Sequence, residues 1–148
     1  MKILTVGKKP QPWLDLATEG YLKRLQGRYK VEFTYLPSSK KESDGARLNE
    51  SREILARLNK DDFIILLDET GKNISSPALS ELMQANVSKN IVFVIGGAYG
   101  VSHELKKRAN FIWSLSNLVF PHQIVRLILI EQIYRAQTIA SNHPYHHQ

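Results

Sequence analysis

Residues 91–100, IVFVIGGAYG, constrain the fold of this chain more than any other segment. The first five are all aliphatic or aromatic, which is typical of a strand buried on both faces. Three glycines lie in the next five positions, and glycine permits positive φ angles and the close approach of a ligand. In an open α/β sheet, ligands bind where strand ends meet such loops, so we expect a small molecule here. A tight connection without a ligand is the alternative.

Four further segments share the strand pattern, and segments of helical periodicity separate them. The strands are predicted at residues 2–6, 31–36, 63–67, 91–95 and 111–115. Three helices are predicted from apolar residues at helical spacing: Trp13, Leu16, Ala17, Tyr21 and Leu25; Leu48, Ile54, Leu55 and Leu58; and Leu79, Leu82 and Met83. In the third, Ser76 is expected as the cap and Pro77 as a first-turn residue. Such alternation is typical of a parallel sheet covered on both faces. We therefore predict a single α/β domain over residues 1–148.

The last predicted helix, at about residues 124–140, is apolar around nearly its whole circumference. A helix on the surface keeps a polar face, so this one needs a second apolar partner besides the sheet. A second copy of the chain across a two-fold axis is the simplest such partner, which favours a homodimer over a monomer. Within this helix, Glu131 and Arg135 are spaced for an intrahelical ion pair.

Composition limits the compartment and the classes of site. The chain has no cysteine, which excludes disulfides, thiolate metal sites and a cysteine nucleophile and agrees with a cytoplasmic location. The N-terminal apolar run is too short for a signal peptide, and Arg126 and Glu131 interrupt the most apolar stretch, so no membrane segment is expected. The net charge of +6 and the pI of about 9.6 favour a polyanionic partner such as nucleic acid, with a solvated basic surface as the alternative.

Two other predicted strand ends run into polar loops. Leu67 is followed by a turn that Gly71 closes, and residues 115–122, LSNLVFPH, lead into the apolar helix. Three parallel strand ends can form one pocket for a planar heterocycle such as adenine. Asp68 and Glu69 are candidates for holding a ribose or a cationic group, with solvated turn residues as the alternative. The fingerprints of dinucleotide-binding, P-loop, GxSxG and HExxH proteins are absent.

The C-terminal residues 142–148, NHPYHHQ, contain three of the five histidines. Histidine titrates near neutral pH and can take a proton, and Tyr145 can stack on a nucleic-acid base. A metal site on His143 and His146 lacks a carboxylate or cysteine to complete it, so no metal is expected. A frayed chain end is the alternative interpretation of the whole segment.

The motifs IGGAYG, LSNLVFPHQIVR, LILIEQIYRA and NHPYH, in this order and at these spacings, resemble the RlmH family. Members of this family are small SPOUT-class methyltransferases, which use S-adenosylmethionine to methylate N3 of a pseudouridine in large-subunit ribosomal RNA. The segments VGK, YLKRL and LLDETGK extend the resemblance over essentially the full chain. The resemblance implies an α/β, parallel-sheet SPOUT fold with a C-terminal trefoil knot. It also implies an obligate homodimer in which the tail of one subunit completes the active site of the other.

The resemblance assigns the site residues position by position. Those implied for S-adenosylmethionine are Leu67, Gly96, Leu115, Ser116, Asn117, Leu118, Val119 and Phe120. Methylation at N3 requires the loss of a ring proton, for which His146 is the first candidate and His143 the second. Tyr145 is expected to stack on or orient the base. His122 and Arg126 are candidates for holding a phosphate or polarising a uracil carbonyl, and a dimer-interface ion pair is the alternative for Arg126.

The chain departs from the family pattern at two places. His147 stands where the family usually has Arg or Lys, so RNA binding is expected to be weaker near pH 8 than near pH 6. Glu50 and Ser51 stand where Glu-Gly is usual, which affects a local turn. Two other functional classes are kept open: a non-catalytic ribosome-binding or assembly factor that retains the cofactor pocket, and an α/β enzyme acting on a different nucleotide.

Overall fold

The computed structural model describes residues 1–145. The strands are β1 (Lys2–Val6), β2 (Glu32–Leu36), β3 (Phe63–Asn73), β4 (Ile91–Ile95) and β5 (Phe111–Ser114). The helices are α1 (Pro12–Leu22), α2 (Ser43–Leu55), α3 (Ser76–Ala85), α4 (His103–Arg108) and α5 (His122–Ala140), with a short 3-10 helix at Gly27–Tyr29. Among residues 1–145, no helix combines the length and apolarity needed to cross a membrane.

All five strands form one parallel sheet in the order β2-β1-β4-β3-β5. The registers place the carboxyl ends of β1, β3 and β4 at the same edge, where Thr5 and Leu67 each pair with Ile95. The predicted α/β class with a parallel sheet is therefore confirmed. Because β4 lies in the middle of the sheet, all five of its side chains are buried, as its unbroken apolar sequence predicts.

Two hydrophobic cores cover the two faces of the sheet. Alternate residues of each central strand point to opposite faces, so Phe93 enters one core and Val92 and Val94 enter the other. The first core contains residues of α3 and α5, and the second contains residues of α2 and α4. The second face is thus covered by the polar helix α2 and the six-residue helix α4, whereas the 19-residue, apolar α5 lies on the first.

The buried face of α1 agrees with the predicted one only in part: Tyr21 and Leu25 pack in the first core as expected, but the start of the helix does not follow the prediction. Leu14 and Thr18 are buried, whereas Trp13 is 60% exposed and Leu16 is 71% exposed. The helix begins at Pro12 and packs against α5 through the stripe that starts at Leu14. Trp13 and Leu16 satisfy a helical period as well as Leu14 does, so spacing could not decide which stripe packs against α5.

Strand β3 is longer than predicted. Its pairing with β5 is interrupted rather than ended after Leu67, because both Leu67 and Lys72 pair with Trp113. The four residues between them, 68–71, form an excursion from the sheet, and the strand then continues to Asn73. The prediction that this strand ends at a turn closed by Gly71 was therefore wrong. The polar residues of that turn do, however, interrupt the pairing with β5.

Helix boundaries depend on capping side chains. The cap of α3 is Ser75, whose side chain accepts a hydrogen bond from the Ala78 N–H, and Ser76 is already helical. The short helix α4, which the sequence pattern did not predict, is capped in the same way by Ser102 on the Leu105 N–H. Helix α5 begins at His122, two residues earlier than predicted, directly after Pro121.

Candidate functional site

A cavity of about 270 Å³ opens at the carboxyl ends of three neighbouring strands. The excursion of β3, the glycine loop after β4 and the segment after β5 each contribute walls. The volume is near the lower limit of small-molecule sites. The structure thus brings together the three loops that were expected to form one pocket, at the sheet edge where open α/β folds bind ligands.

Most of the predicted cofactor residues line this cavity. The lining includes Leu67, Gly96, Leu115, Ser116, Leu118, Val119 and Phe120. Asn117 is the exception: it is exposed and does not line the cavity. The Ser116 hydroxyl accepts a hydrogen bond of 3.0 Å from the Leu118 N–H, and this tight turn carries Asn117 at its tip towards solvent.

The glycine loop is held in place by its neighbours. A Cβ atom on Gly96 would lie 2.5 Å from Cγ1 of Val101, and one on Gly97 would overlap the Glu50 carboxylate. Gly100 has φ of 73°, in the left-handed region that favours glycine. Close packing against Val101 and Glu50 therefore accounts for the glycines at 96 and 97 without a ligand.

Glu50 is a residue of this region that sequence reasoning did not single out as a site residue. Its side chain is buried, and its Oε1 accepts a hydrogen bond of 2.8 Å from the Ser39 N–H. Its Oε2 has no hydrogen-bond partner among the described residues. A charged residue in the middle of a helix gives no local signal of burial, because burial depends on the loop that packs on it.

Asp68 is bonded within the wall of the cavity. Its carboxylate lies 2.9 Å from Nζ of Lys106 in α4 and accepts hydrogen bonds from the hydroxyl and N–H of Thr70. Burial alone would raise the pKa of Asp68, but these hydrogen bonds and the Lys106 charge outweigh it and lower the pKa below 3.8. Asp68 is therefore an ionised structural residue of the excursion and not a solvated turn residue, whereas Glu69 is exposed at the cavity.

Asp68→Asn is expected to lower the free energy of unfolding at pH 7 by about 1–2 kcal/mol, because charge-assisted hydrogen bonds are lost. The folded-state pKa lies below the unfolded value, so this stabilisation is present above about pH 4 and disappears as the pH falls through the folded pKa. Urea unfolding of both proteins at pH 7 and at pH 3 measures the difference. Glu69→Gln is the control and should change stability by less than about 0.5 kcal/mol. A constant difference at both pH values would contradict the assignment.

Of the two candidate residues at the start of α5, only His122 lines the cavity. Its Nε2 lies 2.8 Å from the Val6 carbonyl oxygen at the end of β1. Arg126, one turn further along, is 2% exposed and points to β1. It donates to Thr5 Oγ1, to the Val6 carbonyl and to the Lys8 carbonyl at 3.0, 2.8 and 2.8 Å.

These contacts bear on the role expected for Arg126. Its guanidinium has no carboxylate partner among the described residues, and its carbon lies 5.3 Å from the centre of the Tyr35 ring. Burial lowers the pKa of Arg126, and the neighbouring Tyr35 acts in the opposite direction. In this structure the side chain links α5 to the end of β1, and each of its three nitrogens donates to a protein oxygen.

The described part of the tail lies along α5, away from the cavity. The Tyr145 hydroxyl donates to Glu131 at 3.2 Å, and its ring packs edge-on against Tyr134 at 4.8 Å. Burial, a hydrogen bond with Tyr21 and the Glu131 charge raise the pKa of Tyr145 to about 12, so it is protonated at neutral pH. The predicted ion pair between Glu131 and Arg135 is confirmed, at 2.6 Å.

The tail and the cavity are therefore apart within one chain. Glu131 lies nine positions after His122, or about 14 Å along the helix axis. His143 is exposed, and its Nδ1 accepts a hydrogen bond of 3.2 Å from the Tyr145 N–H. The structure does not bring His143 or Tyr145 to the cavity of their own chain. His146, the first candidate for proton acceptor, and His147 lie outside the described residues.

The comparisons with known proteins agree over the length of the chain. A family model described as "Predicted SPOUT methyltransferase" matches residues 1–146. A protein of Christiangramia forsetii is 41% identical over 100% of this chain and 99% of its own length. One of Dictyoglomus thermophilum is 42% identical over 99% of each chain, and one of Prochlorococcus marinus is 39% identical over 98% of this chain and 94% of its own. All three are named ribosomal RNA large subunit methyltransferase H. With a match over nearly every residue and an all-parallel α/β sheet, this chain belongs to the SPOUT methyltransferases and, among them, to the RlmH family.

Proposed function

We propose that this protein transfers a methyl group from S-adenosylmethionine to N3 of a pseudouridine in large-subunit ribosomal RNA, on the assembled ribosome. The cavity at the ends of β3, β4 and β5 is the observation that carries the proposal, because the residues that the family assigns to the cofactor surround it. The names of the curated relatives support the RNA substrate. The assignment to pseudouridine N3 is the finer part of the proposal and rests on the resemblance.

The chemistry of the cavity fits S-adenosylmethionine. Leu67, Ile95, Leu118 and Val119 provide apolar walls that suit the adenine ring. Glu69 places an exposed carboxylate at the same cavity, where it can accept hydrogen bonds from ribose hydroxyls or pair with an ammonium group. When bound, S-adenosylmethionine supplies an electrophilic methyl group on a positively charged sulfur. The protein then has to align the acceptor nitrogen with that group and remove the N3 proton.

Two basic loops at the same edge of the sheet as the cavity support an RNA partner. Lys8 and Lys9 follow β1, and Lys40 and Lys41 follow β2, so that all four lie at the carboxyl ends of neighbouring strands. These lysines are exposed and form no ion pair among the described residues. Neutralised phosphates release counterions, so we expect RNA affinity to fall steeply with salt.

A homodimer is part of the same proposal. Trp13, Leu16, Leu118 and Val119 are apolar and at least 60% exposed, so each is available for contact with a second copy of the chain. Because Tyr145 and His143 lie far from the cavity of their own chain, we propose that they act, with His146, at the cavity of the partner. The trefoil knot, the single domain over residues 1–148 and the cytoplasmic location remain predictions of the same kind.

Mass analysis of ribosomal RNA tests the proposed function. Ribosomes from a strain that lacks the gene are incubated with the protein and isotopically labelled S-adenosylmethionine. One labelled methyl group on a pseudouridine of the large-subunit RNA is the expected result. Tight cofactor binding without transfer would instead indicate a ribosome-binding factor. Calorimetry that shows binding of NAD or ATP in place of S-adenosylmethionine would indicate a different nucleotide enzyme.

His146→Ala is expected to reduce methyl transfer by about 100-fold, which is the lower range for groups that act in proton transfer or orient the base. Cofactor affinity, measured by calorimetry, should stay within about two-fold, because the tail is not part of the described cavity wall. Unchanged turnover would remove His146 from the mechanism. Gln148→Ala, two positions further, serves as the control for effects of altering the tail.

A further inference from the structure

The hydrogen bond of His122 fixes which of its ring nitrogens carries the proton. Nε2 lies 2.8 Å from the Val6 carbonyl oxygen, and 3.4 Å from the Thr5 hydroxyl. A carbonyl oxygen can only accept, so the Nε2–H donates. In the neutral ring, Nδ1 then has no proton and carries a free lone pair.

The described residues leave that lone pair unused, on a side chain that lines the cavity. Among the described residues, Nδ1 of His122 has no hydrogen-bond partner, and the side chain lines the cavity beside Val125 and Phe120. Being the first residue of α5, His122 is held by the helix on one side and by the end of β1 on the other. A ring held at its Nε2 is oriented before any substrate arrives.

The charges around His122 favour the neutral ring. Burial lowers the pKa of His122 below 6.5, and the Arg126 charge on the next turn of α5 lowers it further. The hydrogen bond to Val6 and the Glu50 carboxylate from α2 act in the opposite direction, but less strongly. The imidazole is therefore an acceptor at neutral pH, as a general base must be.

We propose that Nδ1 of His122 accepts the N3 proton of the target base, which makes His122 a catalytic residue; this rests on the proposed methyl transfer. As the proton leaves, the nitrogen electron pair forms the new bond to the methyl carbon. The carbon–sulfur bond breaks and its electron pair stays on the sulfur, which becomes a neutral thioether. The proton on Nδ1 then passes from the imidazolium to water, and the ring returns to its starting tautomer.

Two substitutions separate catalysis by His122 from a role in holding the structure. In His122→Gln, the amide nitrogen occupies nearly the position of Nε2 and keeps the hydrogen bond to the Val6 carbonyl, but the basic nitrogen is gone. In His122→Asn, the shorter amide loses that hydrogen bond as well. His103→Gln is the matched control, since His103 is exposed on α4 and does not line the cavity.

Single-turnover methylation of purified ribosomes is measured for each variant between pH 5.5 and 8.5. For the wild type we expect a rate that is constant above about pH 6.5 and falls tenfold per unit once the ring is protonated. His122→Gln should be at least about 100-fold slower at pH 7. The rate of His122→Gln should rise tenfold per pH unit, because N3 of the target nucleobase must then lose its proton to solvent before methyl transfer. The rate of His103→Gln should match that of the wild type over the whole pH range. The rate of His146→Ala should fall at low pH in the same way as the wild-type rate.

Nitrogen NMR of the free protein gives a second measurement, independent of activity, in which we expect a protonated Nε2 and an unprotonated Nδ1 at pH 7. A protonated Nδ1 would overturn the proposal. So would a His122→Gln enzyme with the wild-type rate, or a slow one that keeps the wild-type pH profile. If the wild type transfers no methyl group to pseudouridine, the proposed function fails, and the NMR result still reports on the ring.

Discussion

Replacing Arg126 by Met is expected to lower the free energy of unfolding by about 3 kcal/mol, or the melting temperature by about 10 °C. Met has a similar length and fills most of the same space, so the loss comes from hydrogen bonds. Thr5 Oγ1 and the Lys8 carbonyl lose a charged donor, and the Val6 carbonyl keeps only His122. Because His122 is bonded to the same carbonyl, methyl transfer should fall as well.

Thermal and urea unfolding at pH 7 measure this effect. Arg52→Met is a suitable control, because Arg52 is exposed on α2 and makes no ion pair among the described residues; it should change stability by less than about 0.5 kcal/mol. Arg126→Lys, which keeps a charge but not the forked set of donors, should fall between wild type and Met. If Arg126→Met were as stable as the wild type while losing RNA affinity, the guanidinium would be a phosphate ligand instead.

Gly71→Ala is expected to cost about 3 kcal/mol, because the new Cβ would lie against main-chain atoms that no rotamer can move aside. It would lie 2.7 Å from the carbonyl carbon and oxygen of Ile112 and from the Trp113 nitrogen. Either β5 or the excursion at residues 68–71 must shift, and that excursion forms a wall of the cavity. We therefore also expect a weaker affinity for S-adenosylmethionine.

Gly20→Ala tests the opposite case with the same chemical change. Gly20 lies inside α1, and the position that its Cβ would take has no neighbouring atom within 4 Å, so Ala should raise stability by about 0.5–1 kcal/mol. Urea unfolding of both variants, with calorimetry of cofactor binding, measures the contrast. Equal stability of the Gly71 and Gly20 variants would show that β5 can move away from the excursion without cost.

The strands were predictable because their pattern is local and strong. The segments at Lys2–Val6 and Ile91–Ile95 match the predicted bounds, since an uninterrupted aliphatic run leaves the chain little choice but burial on both faces. The stripe of α1 was not predictable, because Leu14 and Leu16 are equally apolar and only the docking on α5 selects between them. The extension of β3 was missed because a glycine at this position indicates a turn. In the structure, the missing side chain of Gly71 instead lets β3 pass close to the backbone of β5.

The candidate site shows the same division. Seven of the eight residues expected around the cofactor line the cavity, because they follow strand ends that a parallel sheet brings to one edge. Asn117 is the exception, because the hydrogen bond from the Leu118 N–H to the Ser116 hydroxyl forms a tight turn that directs Asn117 to solvent. The tail residues Tyr145 and His143 are docked on α5, and nothing in their own sequence indicates how far that is from the cavity.

Local sequence was thus sufficient for the α/β class, for the strands apart from the extension of β3, and for the loops that surround the cavity, because hydrophobic periodicity and glycine act over a few residues. The tautomer of His122, the burial of Arg126 and the contact of Glu50 with the glycine loop depended on the folded chain. Arg126 meets Thr5 across 121 positions. A charged group can be buried only where the fold provides its hydrogen-bond partners. Those partners are distant in sequence, so the residues next to Arg126 do not indicate its burial.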